Sequence, residues 1–277
     1  MKGYQNVVLD GVQQGLRRKR EKSKFFNEGK WDNFIKPFLP EDCSEMTFVD
    51  IGCNNGLFLK LAKEHGFEQI LGIDSNEEVC DVARKYAEAD VIASEIDESI
   101  YDCTNNIINQ IPAADYILLA NTHYHIYASA FLHFLNLIRR KCRYVILVSA
   151  DDAKHKLYRA ASNSRLVRGC FKNWKEVASI ENLDSTGDPT PRQMYSILFK
   201  TDIERLKLTD ISKGGSYGRS FYRKVKRDMK KDNDRTPQNH PLLLRPDGSV
   251  YDGRHRLASL ELDGYKTALC EVIHEKD

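Results

Sequence analysis

From Thr47 onward the chain alternates short, uninterrupted apolar runs with amphipathic stretches of helical period. That alternation restricts the fold more than any other feature of the sequence. The runs are Thr47–Ile51, Gln69–Asp74, Val91–Ile96, Tyr116–Ala120 and Arg143–Ser149, with helical patterns at Leu57–His65, Ser75–Ala87 and 128–140. Strands without polar alternation are buried on both faces, the condition of a parallel sheet carrying helices on either side. The spacing also predicts a helix over 154–179 and two final antiparallel strands, Ser179–Leu183 and Arg192–Lys200, with the unit closing near Thr201.

Thr47-Phe-Val-Asp-Ile-Gly-Cys-Asn-Asn-Gly56 reads as a buried strand running into a glycine loop and then directly into a helix. Glycine at 52 and 56 removes Cβ atoms that would hold a ligand off the backbone, and the helix start offers free N–H groups. Asp74, at the end of the second strand, can take both hydroxyls of a ribose, so the two strand ends outline a nucleoside pocket at the carboxyl edge. Dinucleotide sites use G-x-G-x-x-G to seat a pyrophosphate. Here the pattern is Asp50-x-Gly52-x-x-x-Gly56, and an acid before the first glycine repels pyrophosphate but suits the cationic amino-acid end of S-adenosylmethionine.

Loop, acid and strand order together resemble motif I of the class I S-adenosylmethionine-dependent methyltransferases. The resemblance implies a Rossmann-like α/β sheet with helices on both faces and S-adenosyl-L-methionine as cofactor. Asp50, Gly52, Asn54 and Gly56 would hold its amino-acid end, and Asp74 the ribose. Glu95 and Ile96 would border the adenine, with Cys53, Ser75 and Asn121 in the same binding set. No metal is expected.

Beyond the fourth strand comes Asn121-Thr-His-Tyr-His125, at the level where the methyl group lies in that fold. An imidazole there can accept a proton from an attacking hydroxyl or pair with an anionic oxygen. It can equally hydrogen-bond the sheet edge as a structural group. His125 is the stronger catalytic candidate and His123 the second. Farther on, Gly187-Asp-Pro-Thr-Pro-Arg-Gln-Met-Tyr195 carries a proline-stiffened loop that would deliver Arg192 and Tyr195 towards the substrate side, the guanidinium suiting a phosphate or carboxylate, or be a plain hairpin turn. There is no Asn/Asp-Pro-Pro-Tyr after the fourth strand and no Pro-Cys nucleophile, which speaks against base methylation.

The His123-Tyr-His125-Ile element, Pro189-x-Pro-Arg-x-Met-Tyr195 and motif I with its Gly-Ile-Asp strand resemble, over about residues 45–200, the methyltransferase half of bacterial O-antigen chain-terminating methyltransferase–kinases. Where those proteins carry the first histidine of a pair, this chain has Tyr124. The resemblance implies an acceptor oxygen on a glycan, a sugar or a phosphorylated small molecule, and a place in polysaccharide biosynthesis. Their kinase half has no counterpart here.

Residues 1–44 read as a helical lid carrying a basic run (Arg17–Lys22) and the aromatics Phe25, Phe26, Trp31, Phe34 and Phe38. Residues 45–203 form the main domain and 204–277 a smaller one, with a basic helix over 221–231, a hairpin around Asp247-Gly248, a helix over 257–262 and a last strand over 268–273. Tyr251-Asp-Gly-Arg-His-Arg256 and its surroundings resemble ParB/sulfiredoxin-like domains. There Gly253, Arg254, His255 and Arg256 would bind nucleotide phosphates; the plainer reading is a helix cap at Asp252. If this unit holds a phosphorylated acceptor, the first domain could methylate it. A net charge of +2 gives no global field for nucleic acid or membrane. The apolar runs are too short to span a bilayer, and the amino terminus has no export signal. Seven dispersed cysteines without a C-x-x-C pair suit reduced thiols in a cytoplasmic protein. Two rivals remain: a nucleic-acid-modifying methyltransferase using the basic runs, and a non-catalytic nucleotide or cofactor-binding regulator.

Overall fold

The structure, a computed structural model, describes residues 5–15, 28–97, 101, 107–126, 128–151, 164–184, 192–213, 216–232 and 238–274. Its centre is a seven-stranded sheet of β3 (Thr47–Ile51), β4 (Gln69–Asp74), β5 (Asp90–Ala93), β6 (Ala114–Ala120), β7 (Cys142–Asp151), β8 (Lys175–Asp184) and β9 (Arg192–Lys200). The spatial order is β5-β4-β3-β6-β7-β9-β8. Neighbours from β5 through β7 run parallel, and β9 lies antiparallel between β7 and β8. The order reverses between β3 and β6, the position at which doubly wound sheets open a ligand crevice.

Alternate side chains of each strand enter two apolar cores. Val49, Ile51, Ile117, Leu119, Val145 and Leu147 face α5 (Ala128–Ile138) and α6 (Ser164–Cys170). Phe48, Tyr116, Leu118, Ile146 and Val148 face α2 (Leu57–His65) and the segment that precedes the sheet. That uniform burial is why the strands read as continuous apolar runs. α3 (Glu77–Ala87) follows β4, its first turn capped by the Asn76 side chain accepting from Glu78 N–H. The four-residue α4 (Ile107–Gln110) precedes β6.

Two sequence expectations are corrected. The region before the sheet does not begin as a helix. It opens with a hairpin of β1 (Val7–Leu9) and β2 (Val12–Gln14), turning at Asp10-Gly11, where both residues have positive φ. After the basic run and Phe25–Phe26, which lie outside the described residues, comes the single turn α1 (Glu28–Lys30), continued by Trp31–Ile35 and Lys36–Phe38. Trp31 stacks on Phe58 at 6.5 Å and meets Phe48 edge-on, while Phe34 and Ile35 are fully buried. This segment covers one sheet face. Second, only 164–170 of the expected 154–179 helix is helical among the described residues, and Lys175–Ser179 belongs to β8. Lys-Glu-Val-Ala-Ser is exposed edge strand, whose polar content mimics a helix face.

The remaining chain builds a second, four-stranded sheet in the order β10-β13-β11-β12, from β10 (Glu204–Lys207), β11 (Leu242–Leu244), β12 (Val250–Asp252) and β13 (Thr267–Val272). Two helices, α7 (Ser216–Asp232) and α8 (Arg254–Leu262), pack on it around Tyr222, Val225, Met229, Leu242 and Leu257. This sheet meets the large one at the amino ends of its strands. Arg205 forms a two-pronged ion pair with the fully buried Asp115, which also accepts from Thr47 N–H. Glu45 takes the N–H groups of Lys266 and Thr267, and Gln69 bonds the Tyr265 hydroxyl.

Candidate functional site

The site lies at the opposite, carboxyl edge. β3 ends at Ile51 and the chain turns through Gly52 (φ 78°), Asn54 (φ 51°) and Gly56 (φ 82°) into α2. The glycines serve packing as well as access. A Cβ at Gly52 would stand 2.3 Å from Thr122 Oγ1, and one at Gly56 would stand 2.9 Å from Ala83 Cα. Thr122 therefore closes directly over the loop, its hydroxyl donating to Ile51 O at 2.8 Å. Cys53 points away from the edge into a small core with Leu59, Cys80 and Ala83, so only its backbone borders the site.

The expectation of free helix-start donors holds only in part, because the first of them, Leu57 N–H, and most of the loop N–H groups are engaged. Gly52 and Cys53 N–H both donate to Ile73 O, Gly56 N–H to Cys53 O, Asn54 N–H to Asp74 Oδ2, and Leu57 N–H to the side-chain Oε1 of Gln5. Asp74 also accepts from Asn76 N–H, so its carboxylate ties the glycine loop to the start of α3. A carboxylate has about four acceptor positions, which leaves room for a hydroxyl pair. Ser75 and Glu95 are exposed beside it, and Ile96 is buried just past the end of β5.

The edge also holds unsatisfied acceptors. Asp50 is 1 % exposed, and its Oδ2 has no hydrogen-bond partner among the described residues; the same holds for Asn121 Oδ1. Burial raises the Asp50 carboxyl to a pKa of about 8, helped by the charge of Asp74 and opposed by Lys30. A buried carboxylate next to a second carboxylate asks for a cation. The edge thus fits a nucleoside bearing an ammonium group and hydroxyls, and its paired carboxylates, Asp50 and Asp74, disfavour a pyrophosphate.

Past β6, Asn121 takes a left-handed conformation (φ 58°) and starts a tight turn over His123–His125. The two histidines part company there. His123 is buried, with Nε2 3.5 Å from Ser149 Oγ and its ring against Phe131 at 6.0 Å. His125 is exposed on the site side, where the Asp74 charge acts on its ring. Desolvation holds its pKa below the ordinary imidazole value despite that charge, so it is a neutral base at pH 7. Arg192 opens β9 opposite Asp184; its side chain and the Gly187–Pro191 loop lie outside the described residues, while Tyr195 is not delivered to the substrate side but buried in the core. In the small sheet, Gly253 (φ 100°) precedes α8. The Arg254 guanidinium donates to Val250 O and Tyr251 O; that of Arg256 donates to His240 O, Pro241 O and Asp252. Both arginines act as backbone ties, and His255 is exposed.

Sequence reading missed Gln5 and Thr122. Neither belongs to a recognisable spacing, since each acts across about 50 to 70 residues of chain. A dipeptide Asn-Thr after a buried strand carries no signal of what lies beneath it.

Fold and edge together define a Rossmann-like α/β protein with a site for a cationic nucleoside. A family model described as a methyltransferase domain matches residues 22–171, and the chain belongs to that family: it is a class I, S-adenosylmethionine-dependent methyltransferase. No curated protein matches the sequence. Among solved structures, similar chains include a SAM-dependent methyltransferase from Archaeoglobus fulgidus (16% identity, 66% of this chain and 97% of that one, TM-score 0.48). Another is the PH0226 protein of Pyrococcus horikoshii OT3 (14%, 67% and 92%, 0.47). A third is the N-methyltransferase NodS of Bradyrhizobium japonicum WM9 in complex with S-adenosyl-L-homocysteine (15%, 56% and 78%, 0.42). Among the described residues no helix is long and apolar enough to cross a membrane.

Proposed function

We propose that this methyltransferase acts on an oxygen of a glycan, a sugar or a phosphorylated small molecule, and that Asp50, Gly52, Cys53, Asn54, Gly56, Asp74, Ser75, Glu95, Ile96 and Asn121 hold its cofactor. The observation that carries the cofactor assignment is the pair of buried acceptors without a partner among the described residues, Asp50 Oδ2 and Asn121 Oδ1, beside the glycine loop and Asp74. When bound, S-adenosylmethionine supplies an electrophilic methyl group on a sulfonium. Asp50 pairs with its ammonium group, Asp74 accepts from the ribose hydroxyls, and Glu95 and Ile96 border the adenine.

Transfer needs alignment and, for a hydroxyl acceptor, a place for the proton. His125 supports that role: it is exposed on the turn after β6, uncharged at neutral pH, and subject to the Asp74 field. It takes the acceptor's proton as the oxygen attacks. His123, boxed in by Ser149 and Phe131, orients the turn. Arg192 remains a proposal for binding an acceptor phosphate. The absence of base-stacking and cysteine nucleophile motifs supports a non-nucleic-acid acceptor.

The likeness of residues 206–273 to ParB/sulfiredoxin-like domains stays a proposal for that unit. Its seat at the amino edge, about 15 Å of strand away from the site, argues against it passing an acceptor to the same chain's methyl group. The guanidinium ties support a structural role over phosphate binding there, although the helix starts at Gly253 without a side-chain cap and the Asp252 carboxylate instead pairs with Arg256. The test is methyl transfer from labelled S-adenosylmethionine to a panel of free sugars, sugar phosphates, oligosaccharides and RNA. Label on a sugar or phosphate oxygen supports the reading, and label on RNA alone would replace it with the nucleic-acid alternative.

A further inference from the structure

The hairpin stem at the amino terminus is tied into the glycine loop by three hydrogen bonds from one residue. Gln5 N–H donates to Asn54 Oδ1 at 2.9 Å, Gln5 O accepts from Asn55 Nδ2 at 2.7 Å, and Gln5 Oε1 accepts from Leu57 N–H at 2.9 Å. The return of the hairpin closes the contact: a Cβ at Gly15 would lie 2.0 Å from Gln5 O, so only glycine fits against it. Val7, buried in the core beside α2, anchors the strand, and β1 packs on α3. Asn55 is 1 % exposed although its amide is polar, which is tenable because Gln5 O receives it.

These contacts decide what the loop can bind. An uncapped α2 would present the Leu57 N–H and the positive end of its dipole, an arrangement that attracts phosphate. The Gln5 carboxamide oxygen covers that N–H, while Asn54, held by Gln5 in its left-handed conformation, turns its own N–H to Asp74. Leu57 N–H and Asn54 N–H are thereby engaged, while Asp50 Oδ2 and Asn121 Oδ1 have no hydrogen-bond partner among the described residues. We infer that Gln5 is a specificity-determining positioning residue, which shapes the glycine loop for a nucleoside with a cationic amino-acid end and against one with a 5′-phosphate. This rests on the cofactor assignment above and adds a residue outside the motif.

The experiment is calorimetric titration of the full chain, wild type, Gln5→Ala and Gln5→Glu, with S-adenosylhomocysteine, adenosine and adenosine 5′-monophosphate. In Gln5→Ala, S-adenosylhomocysteine should bind about fivefold or more weakly, the effect of one lost neutral hydrogen bond. Adenosine, which engages only the ribose and adenine side, should change less than about twofold. The monophosphate should gain about threefold as the α2 terminus is uncovered. Gln5→Glu keeps an acceptor for Leu57 N–H and should restore S-adenosylhomocysteine binding to within about twofold of wild type. Equal weakening of all three ligands would mean Gln5 merely stabilises the fold, and unchanged affinities would mean that the strap does not shape the site; either overturns the inference. Failure of the wild type to bind S-adenosylhomocysteine would instead overturn the cofactor assignment on which it rests.

Discussion

Replacing Asp50 with asparagine should stabilise the free protein and cripple it as a cofactor-binding protein. The carboxyl titrates at 3.8 when unfolded and at about 8 in its fully buried native position. The native state therefore holds a proton that the unfolded chain has released over the whole interval between those values. Because the folded pKa is the higher one, the contribution to stability is complete below pH 3.8 and is lost as pH rises towards 8. At pH 7 the deficit is roughly 1.4 kcal/mol for each of about three units, or up to about 4 kcal/mol. The carboxamide of Asp50→Asn does not titrate, so the variant should recover much of that, a rise in melting temperature on the order of 10 °C for a chain of this size. Cofactor binding should move the other way. An ammonium group paired with Asp50 requires the carboxylate, so wild-type affinity for S-adenosylhomocysteine should rise nearly tenfold per pH unit from 6 towards 8, with close to one proton released per ligand. Asp50→Asn should bind at least a hundredfold more weakly at pH 8 and lose the pH dependence, since a buried charge then has no partner. Differential scanning calorimetry of the free proteins and titration in two buffers of different ionisation enthalpy measure both halves. A variant no more stable than wild type, or a wild-type affinity flat between pH 6 and 8, refutes the reasoning.

Three further outcomes are expected. Gly52→Ala should destabilise by about 1–3 kcal/mol through the Thr122 clash and the positive φ. Thr122→Ala in the same chain should return part of that loss, and purely additive effects in denaturant unfolding would exclude the contact as the cause. His125→Ala should lower the transfer rate about a hundredfold or more while leaving S-adenosylhomocysteine affinity unchanged. It should also remove the acid limb of the wild-type pH–rate profile, which lies below pH 6.5 because the folded pKa is depressed; wild-type turnover would return His125 to a structural role. Arg205→Ala leaves Asp115 buried and unpaired and should cost about 3–5 kcal/mol in urea unfolding. Asp115→Asn combined with Arg205→Met should recover part of this cost, and a double variant no better than the single one would show that the charge is not what matters.

Much of the large sheet is legible in the sequence. Strands such as Tyr116–Ala120 and Arg143–Ser149 are apolar on both faces because helices cover both, and that pattern is local. Asp50, Gly52, Gly56 and Asp74 are legible for a related reason: a turn between strand and helix fixes residue types over ten positions or fewer. The amino terminus reads as helix because its basic run has helical composition, whereas Asp10-Gly11 and the burial of Val7 against a distant core set the hairpin.

The sequence by itself determined the order of strands and helices, the position of the glycine loop and the acids flanking it, since all of these follow from backbone preference and periodic burial. Tertiary structure alone decided which groups at that loop remain available. Gln5 covers the helix donor, Thr122 fills the space above Gly52, and His123 is buried while His125 faces the edge. It also set the small sheet at the amino edge through Arg205 and Asp115, 90 residues apart. Hydrogen-bond satisfaction and steric exclusion between such distant residues depend on where the chain returns in space, and no local period records that.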